Sequence, residues 1–160
     1  MTVEHVIQTP NSPVEICGGR LTLHQIPSAR DNLIWLVVCN ETGDCAAIDG
    51  PEAHSVNGYC VQNGFRLTKI LNTHTHPDHI GINVELQREG LLEGVRVFGS
   101  ATRADQIPGL TDPLMDGDEL QIGHVTGRVW LTEGHQDGHI SYIFGDVLFC
   151  GDTLFAGGCG

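Results

Sequence analysis

Thr73-His74-Thr75-His76-Pro77-Asp78-His79 packs three imidazoles and a carboxylate into six residues, just after the apolar pair Ile70-Leu71. Imidazole is a donor suited to zinc, iron and related ions, and a carboxylate adds charge neutralisation. In an extended segment His74 and His76 point to one side, because side-chain direction repeats every second residue. Pro77 is suited to the first turn of a helix, so Asp78 and His79 face the same space from another angle. The loop is therefore expected to serve two ions. A polar turn with chance histidines explains such density poorly.

On either side of this loop the pattern alternates between strand and helix. Residues 33–39 and 45–49 read as buried strands around the turn at residues 41–44. Residues 51–63 read as a helix with Ala53, Val56, Tyr59 and Cys60 on one face and Gly64 at its end. Residues 69–72 form a strand entering the histidine loop, residues 80–89 a second helix stopped by Gly90, and residues 95–98 a short strand. Residues 101–106 form a weak helix. From 105 to 118 the pairs Pro108-Gly109, Asp112-Pro113 and Asp116-Gly117 predict a loop. Strands follow near 119–125, 128–132, 140–144 and 147–150, the last two joined by a Gly145-Asp146 hairpin turn. Early alternation and late strands predict sheet layered on sheet with helices outside, not a doubly wound parallel fold.

The chain has 160 residues, a length suited to one domain. Its formal net charge is −12, with eight scattered basic residues of which Lys69 is the only lysine. Phosphate recognition needs clustered Lys and Arg, so neither nucleic acid nor an anionic membrane is an expected partner. The longest apolar run, Leu33 to Cys39, has seven residues, against the roughly 20 of a membrane-spanning helix. Residues 1–10 lack a basic residue and an apolar core, so no export signal is expected and a cytoplasmic location follows. The six cysteines contain no C-x-x-C pair and are expected to be reduced packing residues. Cys39 and Cys45 could face each other across the turn between them.

Two more segments carry ligand types at strand ends. Gly134-His135-Gln136-Asp137-Gly138-His139 follows Val129-Trp130-Leu131, and Gly151-Asp152-Thr153 follows Val147-Leu148-Phe149-Cys150. A lone Gly-Asp is a common turn; beside the histidine loop it gains weight.

These three motifs, with Asp31-Asn32-Leu33-Ile34-Trp35 upstream, resemble the metallo-β-lactamase superfamily. The run Leu148 to Gly160 is most similar to the hydroxyacylglutathione hydrolases (glyoxalase II) within it. The resemblance spans about Leu21 to Gly160 and implies an α/β (α+β) fold, an αββα sandwich, incomplete at its C-terminal side, as a single domain over residues 1–160. It implies a first metal held by His74, His76 and His135, a second held by Asp78 and His79, and Asp152 bridging them. Asp78 is also assigned the catalytic role. His139 matches a supporting position, and His5, His24, His54 and His124 match none. The order Asp49-Gly50-Pro51 and the residue Glu133 depart from the family pattern without touching a ligand position.

The chain stops at Gly158-Cys159-Gly160, within a family motif. The resemblance implies that a last histidine ligand, residues that recognise glutathione and a helical domain belong beyond that point. The second metal site is therefore expected to be the weaker, and the late strands to show open edges. The implied activity is hydrolysis of S-lactoylglutathione, a glutathione thioester, to glutathione and lactate in methylglyoxal detoxification. It would use two Zn²⁺ ions, with iron or manganese as substitutes. Two other readings stand beside it. One is a mono-iron persulfide dioxygenase using His74, His135 and Asp152, and the other a catalytically impaired metal-binding fragment. Oligomeric state and acyl preference are left open.

Overall fold

A computed structural model describes residues 9–160. The first sheet has seven strands in spatial order β1 (Val14–Ile16), β2 (Leu21–Ser28), β3 (Asn32–Cys39), β4 (Cys45–Ile48), β5 (Lys69–Leu71), β6 (Arg96–Ser100) and β7 (Asp112–Leu114). Strands β1 to β4 pair antiparallel and β4 to β7 pair parallel. The parallel steps need crossovers; helices α1 (His54–Asn63) and α2 (Pro77–Glu89) supply the first two, and the 3₁₀ turn Ala101–Gln106 lies in the third. The second sheet is antiparallel, in order β11 (Val147–Phe149), β10 (Ile140–Phe144), β9 (Val125–Leu131), β8 (Glu119–Ile122). A two-stranded ribbon, β12 (Leu154–Phe155) and β13 (Gly158–Cys159), closes the chain.

The period of two along β3 divides its side chains between two cores. Ile34, Leu36 and Val38 meet Val56 and Cys60 of α1 and Ile82 and Leu86 of α2. Val37 and Cys39 face the other way, toward Ile122, Val129, Ile140, Tyr142 and Phe144 of the second sheet. The layers run helix, sheet, sheet. The outer face of the second sheet carries Trp130 and Leu148, both exposed, and no helix covers it among the described residues. No helix among these residues is long and apolar enough to cross a membrane.

Asp44 joins the two sheets. Its carboxylate accepts from the Lys69 ammonium, the Thr68 hydroxyl and, at 2.6 Å, the Gly123 amide in the β8–β9 turn. Burial raises the Asp44 pKa, but these donors outweigh it and hold the group below its usual value.

Several boundaries differ from the sequence reading. Strands β1 and β2 were not anticipated. Strand β7 lies inside the segment read as a loop, because its edge position tolerates Pro113. The late turn falls at Gly123-His124, where Gly123 adopts φ 57°, so β8 ends at Ile122 and β9 starts at Val125. Helix α1 starts at His54 and α2 already at Pro77. Cys39 and Cys45 do not face each other. They lie in the inter-sheet and helix-side cores respectively, since they project from opposite faces of the sheet, and all six cysteines are free thiols.

Candidate metal centre

Parallel strands β4 and β5 end at one rim, and their C-terminal extensions carry Asp49 and the segment Thr73–His79. The β9–β10 loop brings His135 to the same rim, and the turn after β11 brings Asp152. The second sheet is tied to this rim by Tyr142, whose buried hydroxyl donates to the Asn72 carbonyl at 2.7 Å. Helix α2 is docked by a reciprocal amide pair. Asn72 Nδ2 donates to Asn83 Oδ1 at 3.1 Å, and Asn83 Nδ2 returns a bond to Asn72 Oδ1 at 2.8 Å. Asn72 Nδ2 also reaches the His79 carbonyl at 3.0 Å. The first turn of α2 therefore has one place to sit.

Donor atoms of His74, His76, His135 and Asp152 all lie within 4.8 Å of one another. His76 Nδ1 stands 3.1 Å from His74 Nε2 and 3.0 Å from His135 Nε2. A ring nitrogen offers one proton or one in-plane lone pair, so His76 Nδ1 can satisfy one of these neighbours and not both.

The state of His74 follows from its surroundings. The Thr73 hydroxyl donates to Asp49 Oδ2 at 2.6 Å, so at 3.0 Å it accepts the proton on His74 Nδ1. Burial, reinforced by the surrounding imidazoles, drives the His74 pKa down to about 2. His74 is thus neutral, with a bare Nε2 lone pair aimed at the cluster. A cation is the group that such a set of converging lone pairs fits.

Asp152 turns one oxygen to each of two groups. Its Oδ2 is 3.2 Å from His135 Nε2 and 3.7 Å from His74 Nε2. Its Oδ1 is 3.3 Å from His79 Nε2, which is also 3.4 Å from Asp78 Oδ2. The six residues singled out in the sequence therefore fall into two adjoining sets that share Asp152.

The fold is decided by this bipartite rim over two stacked sheets. The chain has the metallo-β-lactamase fold. Its structure aligns with the crystal structure of the BLEG-1 B3 metallo-β-lactamase at a TM-score of 0.73 and 25% identity, over 86% of this chain and 75% of that one. With the crystal structure of ETHE1 from Myxococcus xanthus the TM-score is 0.71 at 28% identity, over 86% and 60%. In sequence it is 44% identical over 142 residues to a hydroxyacylglutathione hydrolase of Rhodospirillum rubrum, covering 88% of this chain and 54% of that protein. A hydroxyacylglutathione hydrolase of Synechococcus sp. is 45% identical over 143 residues, covering 84% and 55%. The chain spans about half the length of the curated relatives it matches. No family model matches it.

Around the rim of this metallo-β-lactamase fold, several residues hold the donors. Asp49, in left-handed backbone at φ 52°, accepts from Thr73 N at 2.8 Å, from the Thr73 hydroxyl and from His79 Nδ1 at 2.9 Å. Burial alone would lower the His79 pKa, but Asp49, Asp152 and Asp78 outweigh it and lift the value to about 9. Asp49 also lies close enough to His74 and His79 to complete a second potential donor group. Its carboxylate already accepts three hydrogen bonds, which makes it an anchor for His79.

His139 stacks on His74 with centroids 4.8 Å apart. Its Nδ1 meets the Thr132 hydroxyl at 3.0 Å, and its Nε2 accepts from Asp152 N at 3.3 Å. Both nitrogens are engaged away from the cluster. His24, His54 and His124 lie outside it, and His5 lies outside the described residues. A cavity of about 530 Å³ opens on the Asp78 side, walled by Leu33, Trp35, Val147, Leu154 and Phe155, with Asn32, Asp78, His79 and Asp152 at its polar end.

The sequence reading missed Asp49, Asn72 and Asn83. Asn83 had a signal, since it stands four residues after His79 and so on the same helix face. Asp49 offered only a carboxylate ending a strand.

Proposed function

We propose that this chain is the metal-binding part of a thioester hydrolase of the hydroxyacylglutathione hydrolase type, acting on S-lactoylglutathione. The observation that carries this is the shared Asp152 carboxylate between two donor sets. The named relatives support the substrate class. His74, His76, His135 and Asp152 would hold one ion, and Asp78, His79 and Asp152 the other. Zinc suits the first set, and iron or manganese are accommodated by the same donor types. One or two divalent cations at these donors supply Lewis acidity for polarising a carbonyl and ionising water near neutral pH.

The chain's own residues then arrange the reaction. Water oxygen adds to the thioester carbonyl, the C–S bond breaks, and the departing sulfur takes up a proton to leave glutathione and lactate. Asp78, with its carboxylate half exposed at the cavity's polar end and 3.3 Å from Asn32 Nδ2, is the group assigned to accept a proton from water. Asp49 holds the proton on His79 Nδ1, so Nε2 is the nitrogen left to a cation, which would displace the second proton that the neighbouring carboxylates otherwise favour there. The apolar wall around Trp35 offers a surface against which the acyl group would pack.

The test is release of glutathione from S-lactoylglutathione by the chain, stripped with chelator and reloaded with zinc. Activity should vanish on stripping, return on reloading, and be lost in His135→Ala and Asp152→Ala. Turnover indifferent to chelation or to His135→Ala would rule the reading out. The set with three imidazoles should bind the more tightly, and two equally tight sites in a titration would contradict that assignment.

A second reading is favoured by one subset of distances. Asp152 Oδ2 lies 3.2 Å from His135 Nε2 and 3.7 Å from His74 Nε2, and the three offer the two-histidine, one-carboxylate set suited to non-haem iron. Oxygen consumption with glutathione persulfide by the iron-loaded chain, without thioester hydrolysis, would select it.

A further inference from the structure

The loop that carries His74 and His76 and the loop that carries His135 belong to different sheets, and their spacing sets how three imidazoles converge. Between the two histidines of the first loop stands Thr75, and next to His135 stands Gln136. Gln136 Oε1 accepts from the Thr75 backbone amide at 3.0 Å and lies 2.9 Å from the Thr75 hydroxyl. An amide N–H must meet an oxygen, so the orientation of the Gln136 carboxamide is determined by this bond.

The neighbouring 3₁₀ turn, Ala101–Gln106, braces both sides. Gln106 Oε1 is 3.1 Å from the Thr75 hydroxyl, and Arg103 Nε donates to the Asp137 carbonyl at 2.9 Å. The single hydroxyl proton of Thr75 can serve Gln106 or Gln136 but not both. The backbone bond to Gln136 is independent of that choice.

Resting on the metal-site reading above, we infer that Gln136 is a positioning residue for the three-imidazole site. It ties the His74–His76 loop to the His135 loop through one acceptor oxygen and so fixes the separation of ligands that come from separate sheets. Groups that orient metal ligands without touching the ion commonly govern affinity by about 10-fold to 100-fold. Gln136 is half-buried in a loop, so its replacement leaves both hydrophobic cores intact.

The experiment is cobalt(II) titration of the chelator-stripped chain, read by visible d–d absorption and by competition with a chromophoric chelator. Gln136→Leu should weaken the tighter site by about 10-fold or more and alter its band intensity. Gln136→Glu, which keeps the acceptor at the same reach, should recover most of the loss. Thr75→Val should bind almost as the parent does, because its backbone N–H remains. Gln136→Asn, too short to reach, carries the same expectation as Gln136→Leu should that variant fold poorly. Parent-like cobalt affinity and spectrum in Gln136→Leu or Gln136→Asn overturn the inference, even if the metal-free melting temperature falls, since a merely structural bond would move only the latter. A parent chain that binds no cobalt overturns the metal reading itself, and the inference with it.

Discussion

Asp49 accounts for more of the site's order than any residue that points into it. Three donors converge on its carboxylate, and through them it orients His79 directly and His74 by way of the Thr73 hydroxyl. Its φ of 52° is a conformation Asn also tolerates, so Asp49→Asn isolates the charge from the backbone. This variant should lose about 1–3 kcal/mol of stability. Affinity at the His79 set should drop about 10-fold to 100-fold. Thermal unfolding and metal titration check the two effects, and an unchanged titration curve would remove Asp49 from its supporting role. The six donors were legible in the chain because ligand types crowd between an apolar strand end and a glycine. Asp49, Asn72, Asn83 and Gln136 were not, since each works through a partner that only folding brings near.

Two contacts decide how the helices sit on the first sheet. At Gly81 of α2, an added Cβ would stand 1.9 Å from the Pro51 carbonyl oxygen, so the helix rests against backbone and no side chain can give way. Gly81→Ala should cost about 1–3 kcal/mol or more and loosen the histidine loop that leads into α2. Denaturant unfolding measures the first effect and metal affinity the second. On α1, Tyr59 meets His24 of β2, with the hydroxyl 2.9 Å from Nδ1. Burial lowers the His24 pKa. The unfolded chain then takes up a proton before the folded one does. This contribution is complete above about pH 6.5 and is lost as pH falls through the lower folded value. His24→Leu should therefore flatten part of the decline in melting temperature between neutral and mildly acidic pH. Parallel curves for the two proteins would contradict this. Strand β2 escaped the sequence reading because Pro27 and the adjacent polar pair His24-Gln25 break its alternation. Strand β7 escaped because Asp112-Pro113 is also a turn signal; Arg96 pairing with Asp112 across β6 and β7 settles the matter.

At the scale of the molecule, the layering was readable from early strand–helix alternation followed by strands alone. Open edges were expected on the late strands; the structure also leaves the second sheet's outer face uncovered by any helix among the described residues. Trp130 and Leu148 are exposed on that face, and β11 has no outer strand partner among the described residues. An open edge beside exposed apolar side chains favours association. Sedimentation at rising concentration should show self-association, and Leu148→Lys should suppress it without changing the fold's far-ultraviolet spectrum. A parent chain that stays monomeric throughout would count against this.

The pairing of Asp44 with Lys69 has a practical corollary. The chain owns one lysine side chain, and the fold closes around it until about an eighth of it meets solvent. An acylating reagent should ignore that amine while the sheets stay joined and modify it once they part. A single mass increment at Lys69 would then time the opening of the whole molecule.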